Sequence, residues 1–407
     1  MRVLLASDHY PPFVGGVQRQ TRLLAVELHR RGHEVGVATV RQDGMARVDD
    51  ADGFPVWRIG QLRTLPIVRG RPRRRHQPPG PDPVSALELR RLIRRFRPDV
   101  VHSSGWLSYA VALAMLGSDV PLLLSVREYG FVCANTSLLH KGTACSGPGP
   151  AKCVSCSRWY FGTPRGLLAV AGVTLSKPLL RRRTTAVHSV GRYVNAMVAG
   201  NLFAPSDPVP QVIIPGFAVT SEGPPDGALV ARLPAEPFIL FVGALRRVKG
   251  IEVLLEAYRG LDSPPPLVLL GTPEADTPTE LPAGALALGP VSHPTVMAAW
   301  DRSLFGVMPS LWPEPFGSVV HEAMSRGRAV IGTTPGGHSE MIEDGQTGLL
   351  VSAGDVEGLR AAMTRLIDQP ALREAIGARA AARAADFSAD AVVPQFERMF
   401  ARFAAAR

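Results

Sequence analysis

Cysteine is scarce in this chain: four residues in 407, all between positions 133 and 156. A small disulfide-stapled scaffold is excluded, because such folds spread many cysteines through a short chain. Long apolar runs are also missing. The stretch Gly166–Leu175 is far short of the roughly 18 residues that a membrane-crossing helix needs. The opening segment MRVLLASDHYPP lacks the apolar core and cleavage site of a secretory signal, so it reads as a first strand and the expected location is cytoplasmic. Aromatic residues amount to 6%, and no stacking set or reader motif accompanies the arginines, so no nucleic acid is expected as partner.

What is present fits a soluble two-domain protein. With 46% apolar and 20% charged residues the composition is that of a globular chain, and 407 residues suit two cores better than one. The charge is lopsided. Residues 1–208 hold 29 Lys+Arg against 13 Asp+Glu, and the remainder 16 against 22. A basic half suits an anionic partner such as a membrane surface or a phosphorylated acceptor. An ordinary solvated arginine surface is the plainer reading.

Short β-branched or leucine runs alternate with amphipathic segments, as in doubly wound α/β domains. In the first half Val3–Ala6, Glu34–Thr39, Val100–His102, Leu122–Val126 and Ala186–Ser189 read as strands, with a helix over Val17–Arg31 ended by Gly32. A second array begins near Phe238 and continues through 267–271, 286–289, 304–309 and 329–333. The proline-rich segment 205–215 reads as the hinge between the halves.

Three pieces carry chemistry. In LWPEPFGSVVHEAMSRG (311–327), Glu314 lies in a proline-flanked loop and Glu322 inside a helix. Gly317, Ser318 and Val319 open that helix, where free N–H groups and the helix dipole suit diphosphate oxygens. Glu322 can accept two hydrogen bonds from a ribose diol. Taken alone, the two glutamates read equally well as a loop charge and a helix-surface charge. In FVGALRRVKG (241–250), a strand delivers Arg246, Arg247 and Lys249 to a sheet edge, where they can neutralise a leaving diphosphate without a catalytic metal. In PPFVGGVQRQ (11–20), Gly15 and Gly16 allow backbone amides close to a ligand.

In this order, together with RRGHEV (30–35) and TTPGGHSEMIEDGQTGLLV (333–351), the pieces resemble glycosyltransferase family 4 from end to end. The resemblance implies an α/β GT-B architecture: two Rossmann-like domains facing across a cleft that holds the active site. The implied boundaries are an acceptor domain over 1–208, a donor domain over 209–385, and a final segment, 386–407, packing back onto the first. It further implies retaining transfer from a nucleoside-diphosphate sugar to an acceptor hydroxyl, with no metal required for catalysis. Lys249 then contacts the diphosphate, Glu322 the ribose and Glu314 the sugar hydroxyls, with Lys249 and Glu314 in the catalytic roles. Gly243, Gly271, Val291 and Phe316 complete the expected donor site. Family members often carry arginine where this chain has Ala244, so Arg246 or Arg247 stands in for it. They often carry His-Asp where it has Arg127-Glu128.

Loops at the strand ends of the first half offer His9, Tyr10, His102, Arg127 and Glu128 to an acceptor; for His102 a satisfied edge-of-core histidine is the competing reading. Arg90, Arg91, Arg94, Arg95 and Arg97, with Arg73–Arg75 and Arg181–Arg183, suit anionic headgroups and a peripheral position at the inner face of a membrane. Cys133, Cys145, Cys153 and Cys156 suggest a structural zinc site, with an iron–sulfur cluster or free thiols as alternatives. Against the transferase stand an epimerase or phosphorylase on the same architecture, and a non-catalytic, metal-stabilised binding module.

Overall fold

The computed structural model describes residues 1–12, 16–50, 52–62, 79–204, 206–207, 209–218 and 223–405. Gly15 and Arg73–Arg75 lie outside them. The chain forms two compact units. The first comprises Met1–Lys141, Cys145–Gly216 and Val392–Arg407, the second Gly142–Ala144 and Phe217–Ala391. The division therefore falls after residue 216 and the return at 392, a few residues beyond the expected 208 and 386.

The first unit is built on eight strands: β1 (Arg2–Ser7), β2 (Glu34–Val40), β3 (Val48–Asp49), β4 (Val56–Ile59), β5 (Val100–Ser104), β6 (Leu122–Val126), β9 (Thr184–Ser189) and β10 (Gln211–Ile213). The short strands β7 (Leu139–His140) and β8 (Thr143–Ala144) belong to neither large sheet. The order is β10-β9-β6-β5-β1-β2-β4-β3, parallel throughout except for the β3–β4 pair. Such a sheet is covered on both faces, which is why β5 and β6 are buried along their whole length. Residues Gln211–Ile213, read from the sequence as part of the hinge, instead pair with Val187–Ser189 as an edge strand.

Helix Gly16–Arg30 follows β1 and buries Leu23, Leu24, Ala25 and Leu28. Helix Pro83–Phe96 starts where the Asp82 carboxylate accepts from the Ser85 N–H, with Pro83 suited to the first turn. Its Leu89, Leu92 and Ile93 face inward, while Arg90, Arg91, Arg94 and Arg95 are exposed.

A polar thread runs through this core. The Arg127 Nε donates to Ser125 Oγ at 3.1 Å, and Ser125 Oγ lies 3.0 Å from His188 Nδ1. His188 Nε2 faces the Ile214 carbonyl at 2.9 Å; a carbonyl only accepts, so this nitrogen carries the proton and Nδ1 is left to accept. His102 Nε2 sits 3.2 Å from that Nδ1. Phe396 and Phe400, from the closing helix Ala389–Ala404, pack edge-on against the His102 ring at 5.8 and 5.5 Å. His102 is thus embedded in the core.

The second unit has six strands: β11 (Phe238–Val242), β12 (Leu267–Leu270), β13 (Ala285–Gly289), β14 (Ser303–Val307), β15 (Ala329–Thr334) and β16 (Leu349–Ser352). They run parallel in the order β13-β12-β11-β14-β15-β16. Trp300, Val320 and Met324 pack on one face of the sheet, and Leu254, Tyr258 and Leu359 on the other. Successive strands leave β11 in one direction, then the chain crosses to β14 and builds the other way. Ligands of open α/β sheets bind at the carboxyl ends of the strands beside such a reversal.

Burial pushes the His188 imidazole down to about 3 and holds His102 well below the ordinary histidine value, with Arg127 opposing charge on both. Both rings are neutral when folded and take up protons near pH 6.5 when unfolded. The unfolded state therefore gains protons at these two positions as pH falls below about 6.5, a contribution of at most about 2.7 kcal/mol per pH unit. An NMR titration of the folded protein between pH 7 and 4.5 checks the two rings directly: the His102 and His188 ring signals should not titrate in that window. Ring signals that titrate near pH 6.5 would show that they ionise freely in the folded protein.

Candidate active site

The carboxyl ends of β11 and β14 bring the expected residues together in the second unit. After β11 the chain passes Gly243, Ala244 and a buried Leu245, then makes a single 3-10 turn, Arg247–Lys249. Gly250 closes that turn at φ +76°, and a side chain there would come within 1.8 Å of the Pro309 carbonyl oxygen. Only glycine lets the lysine-bearing turn lie so close to the loop that follows β14.

That loop carries Glu314, which is buried. Its Oε1 accepts from Lys249 Nζ at 2.5 Å, Ser310 Oγ at 2.8 Å and Trp312 Nε1 at 2.7 Å. Lys249 Nζ also lies 5.2 Å from the centroid of the Trp312 ring. Burial would raise the Glu314 carboxyl, but the Lys249 charge and these hydrogen bonds outweigh it and hold it below the usual carboxylate range. From the other side the Gly337 N–H donates to the Glu314 carbonyl at 2.5 Å. Gly336, at φ +134°, has no room for a side chain against the Glu314 backbone.

Helix Ser318–Ser325 begins just beyond, with Gly317 as N-cap and no side chain capping it. Lys249, Ser310, Glu314, Gly317, Ser318 and His338 line one cavity, whose walls also include Phe316 and Val319. His338 was not anticipated as a site residue, although the segment TTPGGHSE that carries it was. Its Nδ1 accepts from the Thr333 N–H at 3.3 Å, and burial pushes its pKa down to about 4. The ring is therefore neutral at pH 7 with its proton on Nε2, a donor without charge.

Other expected donor residues stand apart from this cavity. Glu322 is buried in helix Ser318–Ser325, and its Oε1 lies 3.0 Å from His293 Nε2, a partner that sequence spacing did not suggest. Arg246 and Arg247 face carboxylates, Asp276 at 3.7 Å and Glu252 at 3.3 Å respectively. Gly243 and Gly271 end neighbouring strands, the Gly243 N–H donating to the Leu270 carbonyl and the Gly271 N–H to that of Gly289. Val291 packs against the core. Gly16 belongs to the first unit and opens its first helix.

In the first unit the reversal of strand order falls between β1 and β5. Asp8, after β1, accepts from the N–H groups of Trp106 and Leu107 at 2.9 and 2.5 Å, at the start of helix Leu107–Ala114. Burial lifts the Asp8 carboxyl to about 6 against these bonds. Glu128, after β6, is pushed up to about 7 by desolvation and by Asp8. Arg127 is buried and lowered to about 10. Tyr10 is buried with its hydroxyl donating to Asp52, and His9 is half-buried beside it. Among the expected acceptor residues, Glu128 therefore combines partial exposure with a carboxyl poised near neutrality.

The zinc expectation finds no support: among the described residues no group of three or more His, Cys, Asp or Glu is arranged to hold an ion. Each sulfur is turned to a local partner instead. Cys133 donates to Asn135 Oδ1 at 2.8 Å, Cys145 to the Gly147 carbonyl at 3.4 Å and Cys156 to the Leu139 carbonyl at 3.4 Å, while Cys153 accepts from the Gly149 N–H at 3.3 Å. Burial pushes Cys133 up to about 11 and raises Cys156, so both stay thiols. Among the arginines 181–183, Arg181 and Arg182 are exposed and Arg183 is half-buried. Arg183 donates to the carbonyls of Met115, Ser118 and Val120, and Arg181 to that of Leu202.

Comparison with known proteins agrees with this geometry. Residues 14–210 match the family described as Glycosyltransferase Family 4, and residues 231–383 match Glycosyl transferases group 1. The chain is 26% identical to glycogen synthase of Mycobacterium tuberculosis, over 91% of this chain and 87% of that one. It is 30% identical to a D-inositol 3-phosphate glycosyltransferase of Streptomyces griseus, over 72% and 64%. Among solved structures, sucrose-phosphate synthase from Thermosynechococcus elongatus superimposes with a TM-score of 0.76 at 20% identity, covering 100% of both chains. Anabaena HepE in complex with UDP gives 0.68 at 16%, covering 99% and 100%.

The Glu128 environment makes a prediction of its own. In a carbon-detected NMR titration one carboxyl should titrate near pH 7, vanish in Glu128→Gln, and move to lower pH in Asp8→Asn, where a neighbouring like charge is removed. Finding every carboxyl ionised by pH 5 would contradict it.

Proposed function

This chain belongs to the family 4 glycosyltransferases, with the GT-B fold, and we propose that it works with retention of anomeric configuration on a nucleoside-diphosphate sugar held by the second unit. One observation carries the donor assignment: Lys249, Glu314 and the uncapped start of helix Ser318–Ser325 line a single cavity beside the strand-order reversal. The diphosphate then lies against the Lys249 ammonium and the N–H groups at residues 317–319, where cation and helix dipole both favour it. Glu314, fixed by Ser310 and Trp312, accepts from sugar hydroxyls, and the neutral His338 donates from Nε2. Glu322, oriented by His293, accepts from the ribose diol. Names of structural relatives support a nucleotide in such a fold: HepE is described with UDP and with UDP-glucose, and Arabidopsis starch synthase IV with ADP.

Catalysis in this reading is positioning plus stabilisation of charge as the diphosphate departs. The acceptor hydroxyl attacks from the face the diphosphate leaves, and a phosphate oxygen takes its proton. No protein nucleophile and no metal is required. The acceptor is placed by the first unit, with Glu128 and Arg127 as the groups that read its hydroxyls. No helix among the described residues is long and apolar enough to cross a membrane. A peripheral position at an anionic surface is part of the same proposal, supported by the exposed arginines of helix Pro83–Phe96.

The Lys249→Ala variant tests the assignment. Glu314 keeps two of its three donors but loses its counter-charge, so the melting temperature should fall, and turnover is compared at a temperature where circular dichroism shows the variant folded. Turnover with the cognate nucleotide sugar should fall about a hundredfold or more, as when a group stabilising transition-state charge is removed. Near-normal turnover in the folded variant would refute the role given to Lys249.

A further inference from the structure

The hairpin formed by helices Pro150–Phe161 and Thr163–Arg183 wears its apolar residues on the outside. The second helix buries Gly166, Val173, Ser176 and Leu180, which share one face, so its opposite face is turned to solvent. That outer face carries Leu167, Leu168, Ala171, Leu175 and Pro178, with Thr174 as its one polar interruption. Leu168 is 72% exposed and Leu175 78%. Trp159, 59% exposed, and Phe161, 40%, are further exposed apolar side chains at the end of the first helix. A surface helix of a soluble protein normally presents the reverse pattern.

Charge says what such a face fits. From residue 129 to residue 206 the chain has no Asp or Glu at all but nine Lys and Arg. Arg158, Arg165 and Arg182 are exposed and flank the apolar stripe. Apolar side chains with tryptophan among them, rimmed by cations and free of carboxylates, are the features of a helix that lies in the headgroup layer of an anionic membrane. A protein partner or a second copy of this chain would need acidic groups to meet that rim. The second unit is the acidic part of the chain, yet among its described residues Leu281 is the only large hydrophobic side chain that is exposed.

We propose that this helical hairpin is the membrane-docking element of the enzyme, inserting the exposed Trp159, Leu168 and Leu175 side chains shallowly into an anionic leaflet. The proposal rests on the peripheral position suggested above and names the element responsible. The arginines of helix Pro83–Phe96 are not required for it.

Co-sedimentation of the full chain with phosphatidylcholine vesicles, with and without one third phosphatidylglycerol, tests this at low and at physiological ionic strength. Wild type should bind the anionic vesicles, more weakly in salt, and Trp159 emission should shift to the blue, a change lost in Trp159→Phe. Leu168→Glu with Leu175→Glu should reduce the bound fraction about tenfold while melting temperature and nucleoside-diphosphate binding stay unchanged. Absence of vesicle binding at low salt, or undiminished binding by the double variant, overturns the proposal. So does a dimer, seen by sedimentation velocity, that the double variant splits while wild type ignores vesicles. Transfer activity is a separate readout, so losing the docking claim leaves the glycosyl-transfer assignment standing, and the converse holds.

Discussion

A carboxylate that has left water must be matched, and the pairing of Glu314 with Lys249 is the constraint around which the second unit is arranged. An unpaired buried charge is far costlier than a paired one, so both partners have to be delivered accurately. Lys249 arrives on a turn that only Gly250 permits, because the Pro309 carbonyl occupies the space of a side chain. Glu314 arrives on a loop braced from behind by the Gly336-Gly337 backbone, one N–H of which holds its carbonyl. The pair is more than a brace, since Lys249 keeps 30% of its side chain exposed, facing the cavity. A cation held in place but not fully enclosed is suited to meeting a second anion.

Much of this was legible before any coordinates because strand runs, glycine turns and helix starts are local. The two parallel arrays, the position of Lys249 after a strand and the start of the helix at Ser318 all follow from short-range patterns. What escaped was the pairing of side chains distant in sequence. His293 meets Glu322 across 29 residues, and His338 enters the cavity wall from beyond β15, in a segment whose glycines attracted notice before its imidazole. Clustering in sequence misled in the opposite direction. Four cysteines within a short segment read as a ligand set, yet each thiol is satisfied locally. The edge strand at Gln211–Ile213 was hidden by the prolines that flank it, at 205, 208, 210 and 215, which read as linker.

The two units show how one architecture can be put to different uses. Each places the N-terminus of a helix at the point where its strand order reverses, and each such terminus attracts an anion. In the first unit that demand is met from within: Asp8 accepts from Trp106 and Leu107, and a side chain on Gly105 would collide with its carboxylate. An incoming phosphate would have to displace a carboxylate and then lie near Glu128. In the second unit helix Ser318–Ser325 has no side-chain cap, the adjoining charge is the Lys249 cation, and His338 adds an uncharged donor. Phosphate belongs where the terminus is free and the neighbour positive. A hydroxyl-bearing acceptor, which brings no charge that must be neutralised, fits the terminus already occupied, beside carboxyl groups that titrate close to neutrality. In the proposed assignment, the division of labour between donor and acceptor follows from which helix start the chain caps with its own aspartate.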